Sequence, residues 1–193
     1  MDNLKAMTST RKTGGEAFHI DGVQQERQLL SFWQWSASEL LGNALRGILA
    51  EYIVATDLGC VSGTRQEWDA YDLVTSEGIK VEVKSAAYLQ SWSQRQLSPI
   101  KFGIQPTCGW DSKLNARTKT KIRQADVYVF CVLNHKDKST VDPMNMGQWD
   151  FYILPTAVLN KEVGDQSTIT LSSLNRLKPT SMNYGEVNTG IKH

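Results

Sequence analysis

Two stretches of the chain carry the strongest hydrophobic periodicity. In "SASELLGNALRGILAEYIVATDLG", apolar residues recur at positions 40, 41, 44, 45, 48, 49, 52 and 53, the spacing of one face of an α-helix. Ser36 and Glu39 stand in the S-x-x-E spacing of a capping box, which predicts the helix start there. Gly59 is placed to stop it. The second stretch, "IKVEVKS" (79–85), alternates Ile79, Val81 and Val83 with Lys80, Glu82 and Lys84. That is a strand with one apolar face and one polar face.

Further strands are predicted at "AYDLVT" (70–75), "DVYVFCVL" (126–133) and "WDFYILP" (149–155), with a polar hairpin connection between the last two. Some forty residues separate the strand at 79–85 from the one at 126–133. A bare loop of that length is uncommon in a compact domain. "AAYLQSWSQRQL" therefore reads as a helix, and a short strand is expected around "KFGI". "VQQERQLLSFWQW" reads as a short helix or an aromatic packing segment, and "STITLSSLNRL" as a strand leading into a capped helix. Residues 1–22 lack periodicity and read as a flexible N-terminal arm, leaving 23–193 as a single domain. The expected class is α/β, with a mixed central β-sheet flanked by helices.

Composition narrows the chemistry. At 40% hydrophobic and 21% charged residues, the 193-residue chain fits a soluble globular protein that buries a real core. No apolar run approaches the ~20 residues of a membrane helix, and the first residues lack the apolar stretch of a secretory signal. Cys60, Cys108 and Cys131 are odd in number and far apart, which favours reduced thiols and a cytoplasmic location. His19, His135 and His193 have no metal-ligand spacing, so any bound metal is expected on oxygen ligands. Net charge is only +1, yet residues 84–123 hold eight Lys or Arg against one acid. A positive segment on a neutral protein suits a polyanion, although charge runs also serve simply as solvated surface.

The polar face of 79–85 raises a sharper question, because Asp72 lies across a turn from it. If Ser76-Glu77-Gly78 forms a three-residue loop, with Gly78 supplying positive φ, Val74 pairs with Lys80, Leu73 with Val81, and Asp72 with Glu82. Directly opposed residues have Cβ atoms about 4.5–5.5 Å apart, where like charges repel unless a cation sits between them. A two-residue loop would instead shift the register by one and turn Asp72 away. Strand alternation puts Glu82 and Lys84 on one face. Asp69 is a rival acid outside the expected strand, and Glu51 sits in line with the apolar helix stripe, where a glutamate often keeps its head in water.

Asp72, nine intervening residues and Glu82-Val83-Lys84 resemble the D-x(n)-E-x-K signature of the PD-(D/E)xK nuclease superfamily, with Glu51 on the preceding helix where many members carry a glutamate. Tyr71 stands where the signature has proline. The likeness covers roughly residues 40–135. It implies a restriction-endonuclease-like fold and a metal-dependent endonuclease that hydrolyses DNA, of restriction or defence type. The alternatives are a structure-specific nuclease of junction-resolvase or repair type, or a non-catalytic nucleic-acid-binding module. It further implies Glu51, Asp72, Glu82 and Lys84 as catalytic residues and Mg2+ or Mn2+ as cofactor. Asp72, Glu82 and the Val83 carbonyl would be the ligands, with Glu51 as an additional candidate.

Gln90 and Gln94 share a face of the expected following helix and are candidates for substrate contact, with ordinary solvent exposure the alternative. So are Lys113, Arg117, Lys119, Lys121 and Arg123, of which the last three alternate. DNA is the expected partner, no membrane is, and a homodimer is an option. The six tryptophans are expected mainly in the core or at an interface between copies.

Overall fold

The computed structural model describes residues 7, 9–65, 70–111 and 116–192. The chain divides into two compact units, Met1–Glu39 with Ser62–Glu67 and Leu40–Val61 with Trp68–His193. The first unit holds a hairpin of β1 (Ala17–Ile20) and β2 (Val23–Gln28), followed by α1 (Leu29–Ala37). Asp21 and Gly22 make the two-residue turn, both at positive φ (48° and 85°), as a loop between paired Ile20 and Val23 requires.

The second unit begins with α2 (Asn43–Asp57) and then lays down β3 (Leu73–Val74), β4 (Lys80–Ala87), β5 (Lys101–Gly103), β6 (Thr107–Asp111), β7 (Ala116–Ile122) and β8 (Val127–Leu133). It ends with β9 (Trp149–Pro155), α3 (Thr156–Val163), β10 (Thr168–Thr170), α4 (Leu171–Arg176), β11 (Thr180–Met182) and α5 (Val187–Ile191). Five strands form the central sheet in the order β11-β9-β8-β4-β3. Only the β4–β8 pair is parallel, so the sheet is mixed.

All seven residues of β8 are buried, which is why "VYVFCVL" is almost continuously apolar: both of its faces are covered. On one face Val81, Val83, Val129, Cys131 and Phe151 pack with Ala50, Ile53 and Val54 of α2 and with Val187 of α5. On the other, Tyr128, Phe130, Val132 and Leu154 pack with Phe102, Leu159 of α3, Ile169 and Leu174 of α4. The molecule's second unit is therefore a sheet between two helical layers.

Three expectations need correction. The capping box at Ser36 and Glu39 does not start the long helix: α1 runs through Ala37, and α2 begins after Gly42, whose extended backbone is its N-cap. Glycine breaks the run there despite the apolar spacing. The buried face of α2 is also rotated from the apolar stripe. Arg46, Ala50, Ile53 and Val54 are buried, whereas Ile48 and Tyr52 are exposed. The C-terminal end follows expectation, with Gly59 at φ 66° and a Schellman pair of bonds, Cys60 N–H to Ala55 O and Gly59 N–H to Thr56 O.

The third correction concerns "AAYLQSWSQRQL". Ala86 and Ala87 complete β4, and residues 88–100 form no helix. Side chains close this loop instead of a helical ladder. Gln94 Oε1 accepts from Gln90 N–H at 2.7 Å, its Nε2 donates to Tyr88 O and Ser98 Oγ, and Ser98 N–H reaches Tyr88 O.

Candidate active site

The hairpin between β3 and β4 adopts the three-residue loop. Gly78 has φ 85°, Thr75 N–H donates to Ile79 O at 3.0 Å, and Gly78 N–H donates to Thr75 O at 2.9 Å. Buried Thr75 reinforces the turn, its Oγ1 accepting from Ile79 N–H. Leu73 pairs with Val81 and Val74 with Lys80. Just before β3 the ladder turns irregular, as Asp72 N–H bonds the same Val81 residue that Leu73 opposes, at 3.1 Å to its carbonyl. The irregularity turns Asp72 toward the β4 edge, where its carboxylate feels the charge of Glu82.

Backbone alternation then assigns Asp72 a second contact. The N–H and C=O groups of Lys80 engage Asp126 at the start of β8, so those of Val81 and Val83 are directed to the β3 side. Because β3 begins only at Leu73, the Asp72 side chain takes the place of a preceding strand residue: its Oδ2 accepts from Val83 N–H at 2.7 Å. The Val83 carbonyl, on that same edge of β4, is directed at the Asp72 neighbourhood.

Glu82 and Lys84 lie on the sheet face that carries Tyr128 and Phe130, their partners across the β4–β8 pairing. Lys84 Nζ donates to Glu82 Oε1, and both side chains remain partly accessible. They line a cleft of about 490 Å³ together with Ala70, Gln105, Thr107, Tyr128 and Thr168. Glu51 projects from α2, the helix covering the opposite face.

Electrostatics mark Asp72 as the centre of the group. Burial, then the neighbouring Glu82 charge, push its carboxyl up to about 6; Glu51 adds a smaller push, and the Val83 N–H and Lys84 act against these. Burial and the charges of Glu82 and Asp72 likewise raise the Tyr128 phenol to about 12. A carboxylate held against a second carboxylate in a partly desolvated place is stabilised by any cation bound between them.

The donor set fits Mg2+ or Mn2+. Asp72, Glu82 and the Val83 carbonyl offer hard oxygens, and Mg2+ keeps several waters, so two carboxylates and a carbonyl suffice. Among the described residues, no three His, Cys, Asp or Glu side chains converge on one point. Glu51 therefore bears on this centre through its charge on Asp72.

The other expected contact residues fare differently. Gln90 is buried; its Oε1 accepts from Arg46, and its Nε2 donates to Ala87 O. Gln90 and Gln94 thus shape the loop after β4, and they do not present a shared helix face. Lys119 and Lys121 are exposed on β7, but so are Thr120 and Ile122, and exposure there does not follow the alternation. Arg123 is buried, its guanidinium donating to Ile104 O, Asn160 Oδ1, Gly164 O and Gln166 O, and it lines the cleft that holds Glu82 and Lys84. Lys113, Asp69 and Trp68 lie outside the described residues, as does the side chain of Arg117.

Sequence reasoning passed over Arg46, Asp126 and Tyr128. Asp126 could have been suspected, as an acid opening an apolar strand; nothing in the sequence marks Tyr128 as Glu82's neighbour.

Taken together, fold and site define an α/β protein whose polar centre is a pair of neighbouring carboxylates attended by a lysine at one edge of a mixed sheet. The chain belongs to the bacteriophage T4 endonuclease IV family, whose model matches residues 19–184. It is thereby a member of an endonuclease family, and the match spans α2, the whole of the β3–β4 hairpin and the central sheet. Comparison with curated proteins returned no match. Among the described residues, no helix is long and apolar enough to cross a membrane.

Proposed function

We propose that the protein is a cytoplasmic, Mg2+-dependent (or Mn2+-dependent) endodeoxyribonuclease of the PD-(D/E)xK type, acting in restriction or defence, with its active site at Asp72, Glu82 and Lys84. One observation carries the reading: Asp72 accepts from the Val83 N–H, and the residues on either side of Val83, Glu82 and Lys84, share one face of β4 and bond each other. The order of Glu51 on a helix, Asp72 on an edge strand and Glu82-Val83-Lys84 on the next strand supports it, as does membership of an endonuclease family.

In this reading Asp72, Glu82 and the Val83 carbonyl hold the divalent ion. When bound, the ion supplies polarisation of a phosphoryl oxygen and charge compensation for the departing oxygen. Val83 N–H fixes one oxygen of Asp72, which leaves the carboxylate little freedom to swing away from Glu82. Lys84 neutralises part of the Glu82 charge and places an ammonium beside the scissile phosphate, where it orients the attacking water and offsets charge in the transition state. Glu51 keeps the local field negative and so favours cation binding. The exposed Lys119 and Lys121 contact the DNA backbone.

The test is cleavage of DNA with and without Mg2+ or Mn2+. Wild type should cut only with the metal. Asp72→Asn, which retains an acceptor for Val83 N–H, should lose about 10³-fold or more, and Lys84→Ala about 10²-fold or more. Full activity in Asp72→Asn would place the active site elsewhere, and metal-dependent DNA binding without cleavage by wild type would mean a binding module.

A further inference from the structure

Two groups in the cleft beside Glu82 and Lys84 have no part in holding a metal. The first is Arg123. Its guanidinium is buried, and all four of its acceptors are neutral: three backbone carbonyls and the Asn160 amide. Among the described residues no acid pairs with it. A buried charge is costly unless a counter-charge offsets it. Two cations, Lys84 and Arg123, thus line the cleft against one acid, Glu82, which already takes the Lys84 ammonium. The rest of the polar wall is hydroxyl and amide, as at Gln105, Thr107 and Thr168.

The second group is the Tyr128 hydroxyl. The Tyr128 ring is stacked on Phe130, with centroids 5.7 Å apart, and Phe130 meets the Phe102 edge at 5.0 Å. Phenylalanine would fill that place equally well, so packing does not call for the oxygen. Tyr128 is only 4% exposed, and what is exposed opens on the cleft. Among the described residues its hydroxyl has no hydrogen-bond partner, and it is not among the atoms sealed from solvent, of which Thr156 Oγ1 alone lacks a partner. A phenol is a neutral donor at physiological pH, and here it is a donor with nothing to donate to.

We propose that this cleft is a phosphate subsite: it holds the DNA phosphodiester next to the scissile one, with the Tyr128 hydroxyl donating to a non-bridging oxygen and Arg123 supplying fixed positive charge behind it. The choice of ligand rests on the nuclease reading. An apolar or cationic ligand would leave the phenol and the guanidinium unanswered, whereas a phosphate oxygen answers both. At about 490 Å³ the cleft has room for a phosphate with its sugar. Its position selects the neighbouring phosphate. The sheet order sets β4 between β3 and β8, so Asp72 lies on one side of Glu82 and Tyr128 on the other. The step from β4 to β8, about 4.8 Å, carries the phenol away from a scissile phosphate at Asp72 and Glu82 and along the strand.

Tyr128→Phe removes the hydroxyl and leaves the ring. Binding of a short fluorescein-labelled DNA oligonucleotide is measured by anisotropy in EDTA, where nothing is cut. Tyr128→Phe should raise the dissociation constant about tenfold, the worth of one hydrogen bond to a charged acceptor. The slope of log affinity against log salt should not change, because a phenol displaces no counterions. Gln105→Glu, at an exposed position of the cleft wall, adds an acid to the subsite and should weaken binding at least as much. Denaturant unfolding should find both variants as stable as wild type. Wild-type affinity in both variants overturns the subsite, as does a wild type that binds no oligonucleotide. A Tyr128→Phe protein that is less stable but binds normally would assign the hydroxyl to folding and also overturn it. Failure of the nuclease reading shows separately, as wild type that binds DNA and leaves it uncut with Mg2+.

Discussion

Two polar clusters flank the two ends of β4, and they are built on opposite terms. At its C-terminal end, buried Arg46 donates from Nε to Ser85 Oγ, from one terminal nitrogen to Leu41 O and Gln90 Oε1, and from the other to Asn43 Oδ1. Gln90 and Gln94 extend this web to Ala87, Tyr88 and Ser98. Acceptors surround that charge. Toward the other end, Asp72 has the Val83 N–H and Glu82 the Lys84 ammonium, and Asp72 is left with its carboxyl raised to about 6 by burial and the Glu82 charge. Folding alone does not call for two neighbouring carboxylates; in the function proposed above a bound cation would offset them. The first cluster stabilises the fold, and the second holds a carboxylate at a cost to it.

Breaking the satisfied cluster should have the largest effect on stability. Arg46→Met removes the shared donor and leaves Asn43, Ser85, Gln90 and the Leu41 carbonyl without it. A loss of about 2–4 kcal/mol is expected in denaturant unfolding. A loss under about 0.5 kcal/mol would mean that water replaces the guanidinium and the contrast is overdrawn.

Breaking the strained cluster should do the reverse. The folded-state pKa of Asp72 is raised, from 3.8 to about 6. Folding then gains from the protonated form below pH ~4, and that gain is lost as pH rises to about 6. Above that, the ionised carboxylate holds the protein up to about 3 kcal/mol less stable than a neutral group would. Asp72→Asn should therefore stabilise the metal-free protein by about 2 kcal/mol at pH 8 and by almost nothing at pH 4. Equal stability of the two proteins at both pH values would show that Asp72 is solvated.

The smallest effect sharpens the contrast along the basic segment. Lys119 and Lys121 are exposed on β7, whereas Arg123, next in the alternation, is spent on protein acceptors. Lys119→Ala with Lys121→Ala should weaken DNA binding several-fold and make its salt dependence shallower by about 2 in log–log slope. An unchanged slope would remove both from the DNA interface.

Much of this contrast was legible in the sequence, for local reasons. The β3–β4 register follows from Gly78 in the turn and from strict alternation in 79–85, and the Val74–Lys80 and Leu73–Val81 pairs came out as expected. The strand at 149–155, the short strand at 101–103 and the strand-to-helix step at 168–176 were likewise visible. Failures came where side chains replace backbone regularity. Arg46 reads as a surface residue because its acceptors are 39 and 44 residues away in the chain as well as nearby. Residues 88–100 look helical by composition, but glutamine side chains close them into a loop. The β6–β7 hairpin, built largely from Thr, Lys and Arg, has no apolar alternation to reveal it. The β1–β2 hairpin did carry a signal, since "IDGV" sets Asp-Gly between apolar residues, yet the polar residues around it concealed the strands.

Calorimetric titration of Mg2+, and then Mn2+, into the metal-free protein above pH 7 tests the central claim most directly, since it asks whether the neighbouring carboxylates await a cation. Wild type should bind, binding should weaken as pH falls through about 6 where Asp72 takes up its proton, and Asp72→Asn should lose it. Binding of equal strength in wild type and Asp72→Asn, or none in either, would contradict the account.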